Sequence, residues 1–301
     1  MNGKCALCNR DTELVLSHII PKFVFNWLKE TGGPIRSKSE PNLRVQDGEK
    51  QYLLCSDCEG VFSGWEKTFC EKLFLPLHNK QSQTYPIRYG SWALKFAVSV
   101  SWRVLMYYYH LHDLSHYSEK QKKAALEALE VWRGFILGKL PHPGQFEQHL
   151  FTVDVIKNYS GPQISPFLNR YLARSVHMDV ICSQTSAMVY AKMGRIIIFG
   201  NIQVDTKGWK GTKLHVSKGL IMEKNYRLPQ YIAEYWNNKA NEVAEALSTV
   251  SPKQKQIIHD NIIENADEWA AADFFRGMQY DVFHSGKNAF KITEPDEKSE
   301  F

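Results

Sequence analysis

The chain has 301 residues, of which 44% are hydrophobic and 23% are charged, as in an ordinary globular protein with room for two or three domains. Its formal net charge of +5 permits a polyanionic partner but does not require one. The longest apolar run, 92–111, contains Lys95, Arg103 and His110. We therefore expect a buried helix there and exclude a membrane span.

Four of the six cysteines form two pairs with the same spacing, Cys5/Cys8 and Cys55/Cys58. Each pair supplies two sulfurs to a tetrahedral ion, so the pattern predicts a structural zinc site. Cysteines that serve only as small core residues would explain one pair at most. Because the first pair follows Met1 with no apolar leader, and because a metal site suits reduced thiols, we expect a cytoplasmic protein.

The segment around these pairs reads as a short hairpin, an inserted helix and a second helix. A strand over 14–16 leads to His18, and the apolar positions of 22–30 predict a helix. The polar segment 35–52 reads as a basic loop. After Cys58 an apolar stripe predicts another helix, on which Glu59 and Glu66 are seven residues apart and share one face.

Beyond residue 90 the pattern predicts helices, then a sheet, then helices again. Two helices cover about 91–138, the second with Ser118 as its N-cap, and further helices cover 229–285, one of them capped by Ser251 before Pro252. Between them, alternating apolar residues predict an antiparallel sheet of four or five strands within about 150–222, with strands near 151–156, 177–182, 187–191, 196–202 and 212–216 and a hairpin turn at Met193-Gly194. The fold class is therefore α+β. We expect a zinc-bound module at 1–78 and an α+β domain at 79–301.

The cysteine segment resembles the HNH, or ββα-metal, endonuclease family of the treble-clef type. The resemblance rests on Cys5-Ala-Leu-Cys8, on Leu16-Ser-His-Ile-Ile-Pro21, on Asn42-Leu43 and on Leu53-Leu-Cys55-Ser-Asp-Cys58, and it covers about a quarter of the chain. It implies a metal-dependent hydrolase of DNA phosphodiester bonds, in which His18 is the general base. It also implies structural zinc at the cysteines and a catalytic Mg or Mn ion, for which Glu59 and Glu66 are the expected ligands.

The segment departs from the family pattern at three places. Ser17 stands where the family usually has a metal-binding Asp, Lys50 stands where an Asn is common, and Glu59, Ser63 and Glu66 follow the second pair in place of Asn and Lys or His. Two alternatives to the nuclease therefore stay open. One is a zinc module that binds nucleic acid without cleaving it, and the other is a protein-interaction subunit or homo-oligomer whose basic loop contacts a partner chain.

Two weaker patterns complete the sequence evidence. His112 and His116 are four residues apart and can meet on one face of a helix, but solvent-exposed histidines at a helix end are the favoured interpretation. The segment 207–213, Lys-Gly-Trp-Lys-Gly-Thr-Lys, combines lysines, glycines and an aromatic ring. Such a turn can cradle phosphate, but Gly-x-x-Gly alone is a weak signal and a basic turn is the simpler interpretation.

Overall fold

The computed structural model describes residues 1–31, 35–79, 86–111, 117–158, 164–203, 208–221 and 226–290. These residues form a mixture of helices and small antiparallel sheets, as the α+β prediction requires. The strands are β1 (Asn2–Lys4), β2 (Asp11–His18), β3 (Ile35–Arg36), β4 (Arg44–Val45), β5 (Lys50–Cys55), β6 (Ile87–Gly90), β7 (Gln148–Thr152), β8 (Val176–Cys182), β9 (Ala187–Met193), β10 (Ile196–Gln203) and β11 (Lys218–Ile221). The helices are α1 (Lys22–Glu30), α2 (Ser56–Phe69), α3 (Leu75–Asn79), α4 (Ser91–Leu111), α5 (Glu119–Ile136), α6 (Leu168–Arg174), α7 (Gln230–Ser248), α8 (Pro252–Glu264), α9 (Ala266–Ala271) and α10 (Asp273–Ser285), with a π-helical turn at Cys70–Phe74 and a 3-10 turn at Gly286–Phe290.

The chain divides into two compact units, each built from three separate segments. The first unit comprises Met1–Phe23, Gly48–Thr152 and Val176–Leu228, and the second comprises Val24–Asp47, Val153–Ser175 and the described residues from Pro229 onward. This division differs from the predicted boundary after residue 78. Both cysteine pairs belong to the same unit as α4, and α4 packs directly against α2.

The first unit begins with a three-stranded antiparallel sheet in the order β1-β2-β5. Leu14 of β2 lies opposite Cys55 of β5, and a register shift follows between Val15 and Leu16. Since α2 starts at the residue after Cys55, the sheet, the second cysteine pair and the helix form one continuous structure.

Helix α4 is the central core element of this unit. It packs against α2, α5 and the strands of a second antiparallel sheet, whose order is β7-β10-β9-β8. Every residue from Ala93 to Leu105 except Lys95 is buried, as expected for a helix surrounded by protein on all sides. Polar residues within this stretch have internal partners, as Ser101 shows by donating its hydroxyl to the Gln148 side chain at 2.7 Å.

The predicted sheet is present with four strands. Met193 lies opposite Ile196 across a two-residue turn in which Gly194 has a φ of 59°, so the predicted hairpin is confirmed. The predicted strand at 212–216 is wrong. This segment forms a single antiparallel bridge, between Lys213 and His149, on the edge of β7 that does not face β10, and the pairing does not extend into a ladder.

The second unit is mainly helical. Helix α10 approaches α6 so closely that a Cβ on Gly277 would lie 2.8 Å from the carbonyl oxygen of Asn169, which explains the glycine. Asp281 of α10 is 1% exposed and accepts hydrogen bonds from the Asn169 N–H and the Arg170 Nε–H, both at 2.8 Å. Four helices cover 230–285, and Ser251 caps α8 as predicted.

Among the described residues, no helix combines the length and apolar character needed to cross a membrane.

Candidate metal centre

The two cysteine pairs converge in the first unit. Cys5 and Cys8 lie in the turn between β1 and β2, Cys55 ends β5, and Cys58 lies in the first turn of α2. The turn is closed by backbone hydrogen bonds, and it holds Asn9 at a φ of 63°, which asparagine tolerates better than most residues. The ligand atoms of the four cysteines all lie within 4.8 Å of one another, and none of the four forms a disulfide.

One sulfur–sulfur distance in the cluster equals that expected around a tetrahedral ion. Cys8 Sγ and Cys55 Sγ are 3.8 Å apart. In a tetrahedron with metal–sulfur bonds of about 2.3 Å, two sulfurs are separated by about 3.8 Å. Cys5, Cys55 and Cys58 are buried and Cys8 is half-buried. The cluster can therefore hold a metal ion such as zinc.

Arg10 supports the thiolate form of this cluster. Its guanidinium donates to Cys8 Sγ at 3.3 Å and to Cys55 Sγ at 3.7 Å, and it is paired with Asp57 at 2.7 Å. Burial raises the pKa of Cys8, but hydrogen bonds, led by those from Arg10, outweigh it and lower this pKa to about 6. Burial, together with the neighbouring thiols, raises the pKa of Cys58, and a bound dication would oppose that effect.

His18 lies at the end of β2, half-buried, next to the fully enclosed Ser17. The Ser17 hydroxyl donates to Glu59 Oε2 of α2 at 2.7 Å. The structure thus brings one predicted carboxylate into contact with the residue adjacent to His18 in the chain.

Glu66, the second predicted carboxylate, lies in an ion pair with Arg103 of α4. Glu66 Oε1 and Arg103 Nη2 are 2.7 Å apart, although their angles are not those of a hydrogen bond. Arg103 also donates through Nη1 to the backbone oxygen of His18 at 2.9 Å. Sequence reasoning missed this role of Arg103. Its signal was a charged residue within an apolar run.

In the part of the chain that the structure describes, the four cysteines are the one group of three or more His, Cys, Asp or Glu residues whose ligand atoms converge. His18, Glu59 and Glu66 do not form a second such group. His112, His116 and Lys207 lie outside the described residues. In the second unit, two cations of the predicted basic loop already have partners, since Lys38 is paired with Glu242 at 2.5 Å and Arg36 donates to Gln254 at 2.6 Å.

Comparison of the chain with protein-family models, with curated proteins and with solved structures gave no match.

Proposed function

We propose that this chain is an HNH-like endonuclease that hydrolyses DNA phosphodiester bonds, with one structural zinc ion at Cys5, Cys8, Cys55 and Cys58. Strands β2 and β5 followed by α2 supply the order of elements that a treble clef needs, with one cysteine pair before β2 and the other where β5 meets α2. The sulfur spacing of the cluster supports zinc.

The observation that carries the catalytic part is the hydrogen bond between Ser17 and Glu59. It holds a carboxylate of α2 against the residue beside His18, which suggests that the helix supplies the charge that the family places at position 17. Mg²⁺ is commonly bound through one or two protein carboxylates, with waters and substrate phosphates completing its shell. Glu59 alone therefore supplies the one protein carboxylate that a Mg²⁺ site needs, while Glu66 forms an ion pair with Arg103.

In this proposal His18 takes a proton from the attacking water, and its backbone is fixed by the hydrogen bond from Arg103. Glu59 would hold the divalent ion, whose chemistry when bound would be to stabilise the leaving oxygen.

A second candidate function is a zinc module that binds nucleic acid without cleaving it. The Arg103–Glu66 ion pair favours this candidate, because it satisfies one of the two carboxylates expected to hold a catalytic ion. Both candidates share the zinc site and differ in whether His18 and a carboxylate of α2 take part in cleavage.

A nicking assay on supercoiled DNA in Mg²⁺ or Mn²⁺ distinguishes the two candidates. We expect the wild type to nick DNA and His18→Ala to lower the rate about 100-fold or more, because it removes the proton acceptor. Glu59→Gln keeps an acceptor for the Ser17 hydroxyl but loses the charge, so it should raise the metal concentration required. Glu13→Gln alters an exposed carboxylate of β2 and is the matched control.

Zinc content and circular dichroism should be unchanged in all three variants. Equal activity of wild type and His18→Ala would assign the cleavage to another source. Absence of nicking in either metal, with DNA binding intact, would establish the second candidate.

A further inference from the structure

A cavity of about 240 Å³ lies in the first unit, at the beginning of β7. Glu147, His149 and the residues Trp209–Lys213 line it. The backbone of the latter segment is attached to β7 by two hydrogen bonds of 2.8 Å, from the Leu150 N–H to the Thr212 oxygen and from the Leu214 N–H to the Gln148 oxygen. Gly211 has a φ of 76°, a conformation that glycine adopts without strain.

A buried polar chain forms one wall of this cavity. His149 is 3% exposed, and Thr212 and Asn201 are each 2% exposed. Nδ1 of His149 is 2.8 Å from the Thr212 hydroxyl, and Nε2 is 3.2 Å from the Asn201 amide nitrogen. The Trp209 ring lies against the imidazole with ring centres 4.4 Å apart, so the histidine is fixed on three sides.

The protonation state of His149 determines which groups donate and which accept in these hydrogen bonds. Burial, with a contribution from Lys213, lowers the pKa of His149 to about 4, so the ring is neutral at pH 7. A neutral imidazole has one donor and one acceptor nitrogen. With the Asn201 amide donating to Nε2, the proton is on Nδ1 and is donated to the Thr212 oxygen. The Thr212 hydroxyl hydrogen is then available to donate into the cavity.

The charges around the cavity also favour an acceptor. Lys210 is exposed, and Lys213 forms an ion pair with Glu147. Glu147 Oε2 is 3.8 Å from His149 Nε2, beyond hydrogen-bond distance. The lining therefore has two ammonium groups and one hydroxyl that can donate hydrogen bonds, and one carboxylate. That carboxylate, of Glu147, is paired with Lys213.

We propose that this cavity binds a small phosphate-bearing molecule between Lys210, Lys213 and the Thr212 hydroxyl, with Trp209 as its apolar wall. A volume of about 240 Å³ equals that of about eight water molecules, which admits a phosphate with a small attached group. The proposal is independent of hydrolysis at His18.

Calorimetric titration of the full chain with sodium phosphate, at fixed ionic strength and pH 7.5, tests this site. We expect saturable binding that weakens about tenfold in Lys213→Gln, because a charge-assisted hydrogen bond is lost. Lys122→Gln is the matched control, since Lys122 is likewise paired with a glutamate, Glu119, at 2.8 Å. Glu147→Gln should bind phosphate more tightly, because a carboxylate that competes for Lys213 becomes neutral.

The hydroxyl is tested by a second pair of variants. Thr212→Ser retains the donor and should bind nearly as the wild type does, whereas Thr212→Val should bind several-fold more weakly. If circular dichroism shows that Thr212→Val does not fold, Lys213→Gln and Glu147→Gln decide the matter. Absence of saturable binding by the wild type, equal affinity in Lys213→Gln and Lys122→Gln, or binding of acetate without phosphate would each overturn the proposal.

Discussion

Arg103 of the buried helix α4 contacts two of the predicted site residues, His18 of β2 and Glu66 of α2. Its side chain is 1% exposed and makes contacts with the backbone of His18, the carboxylate of Glu66 and the ring of Phe62 at 5.2 Å. Burying a guanidinium is unfavourable unless its charge and its hydrogen bonds are satisfied. The position of α4 therefore depends on partners that lie about 40 and 85 residues earlier in the chain.

Removing this guanidinium should destabilise the first unit. We expect Arg103→Met to lower the free energy of unfolding by about 3–5 kcal/mol, because Glu66 is left as a charge without its buried partner. Arg103→Met with Glu66→Gln should cost less than the sum of the two single changes. Urea unfolding at pH 7.5 measures all three variants. A loss below about 1 kcal/mol in Arg103→Met would show that the pair is replaceable by apolar packing.

The buried His149 should make the free energy of unfolding depend on pH. Its pKa is about 4 in the folded chain and about 6.5 when unfolded, so the unfolded chain binds the proton first. The stability that comes from keeping His149 neutral in the folded chain is fully present above pH 6.5 and is lost as pH falls toward 4. Between pH 7.5 and 5 the wild type should lose about 2 kcal/mol more than His149→Gln does.

Urea unfolding at the two pH values measures that difference, and His142→Gln, at an exposed histidine, should behave as the wild type does. Equal pH dependence in wild type and His149→Gln would contradict the buried neutral state of the ring.

At the scale of elements, the cysteine cluster joins the β1–β2 turn to the junction of β5 and α2. With the proposed zinc ion bound at the cluster, its loss by chelation or in Cys55→Ser should open this junction, because a small sheet has little core of its own. We expect amide hydrogen exchange to accelerate in β1, β2, β5 and α2, and also in α4 near Arg103, which bonds to His18. Helices α6 and α10 of the second unit should keep their protection.

Cys70→Ser changes a half-buried cysteine outside the cluster and should retain both metal and protection. Unchanged exchange in metal-free protein would mean that the cluster does not hold the sheet together.

The elements that sequence predicted well are those whose signals are local. Helix α1 has the predicted bounds, and the caps Ser118 and Ser251 begin α5 and α8, because capping depends on residues within one turn. The cysteine cluster was predictable for the same reason, since each pair has its own spacing. The segment 212–216 has a strand-like alternation, but its pairing with β7 stops at one bridge, and the length of such a pairing is not encoded in the residues of one segment.

The predicted domain boundary after residue 78 coincides with the end of the cysteine segment. The structure instead assembles each unit from three stretches of chain, and contacts such as Arg103 with Glu66 and Arg133 with the Leu7 oxygen at 2.6 Å connect the cysteine segment to later helices. Such contacts depend on which surfaces meet after folding. Neither hydrophobic period nor spacing carries that information.

The net charge of +5 makes DNA binding by the full chain, under the proposed function, dependent on salt. Each phosphate neutralised by a lysine or arginine releases counterions, so the logarithm of the binding constant should fall by about 0.9 per contacted phosphate for each unit of log salt. Arg44 is exposed, whereas Lys38 is already paired with Glu242. We therefore expect Arg44→Gln to weaken binding and to reduce the slope by about one contact, and Lys38→Gln to change the slope less. Fluorescence anisotropy with a labelled duplex between 50 and 200 mM salt measures both quantities. Binding that is absent at 50 mM salt, or that does not change with salt, would argue against a nucleic-acid partner. It would favour a protein partner at the basic loop 35–52.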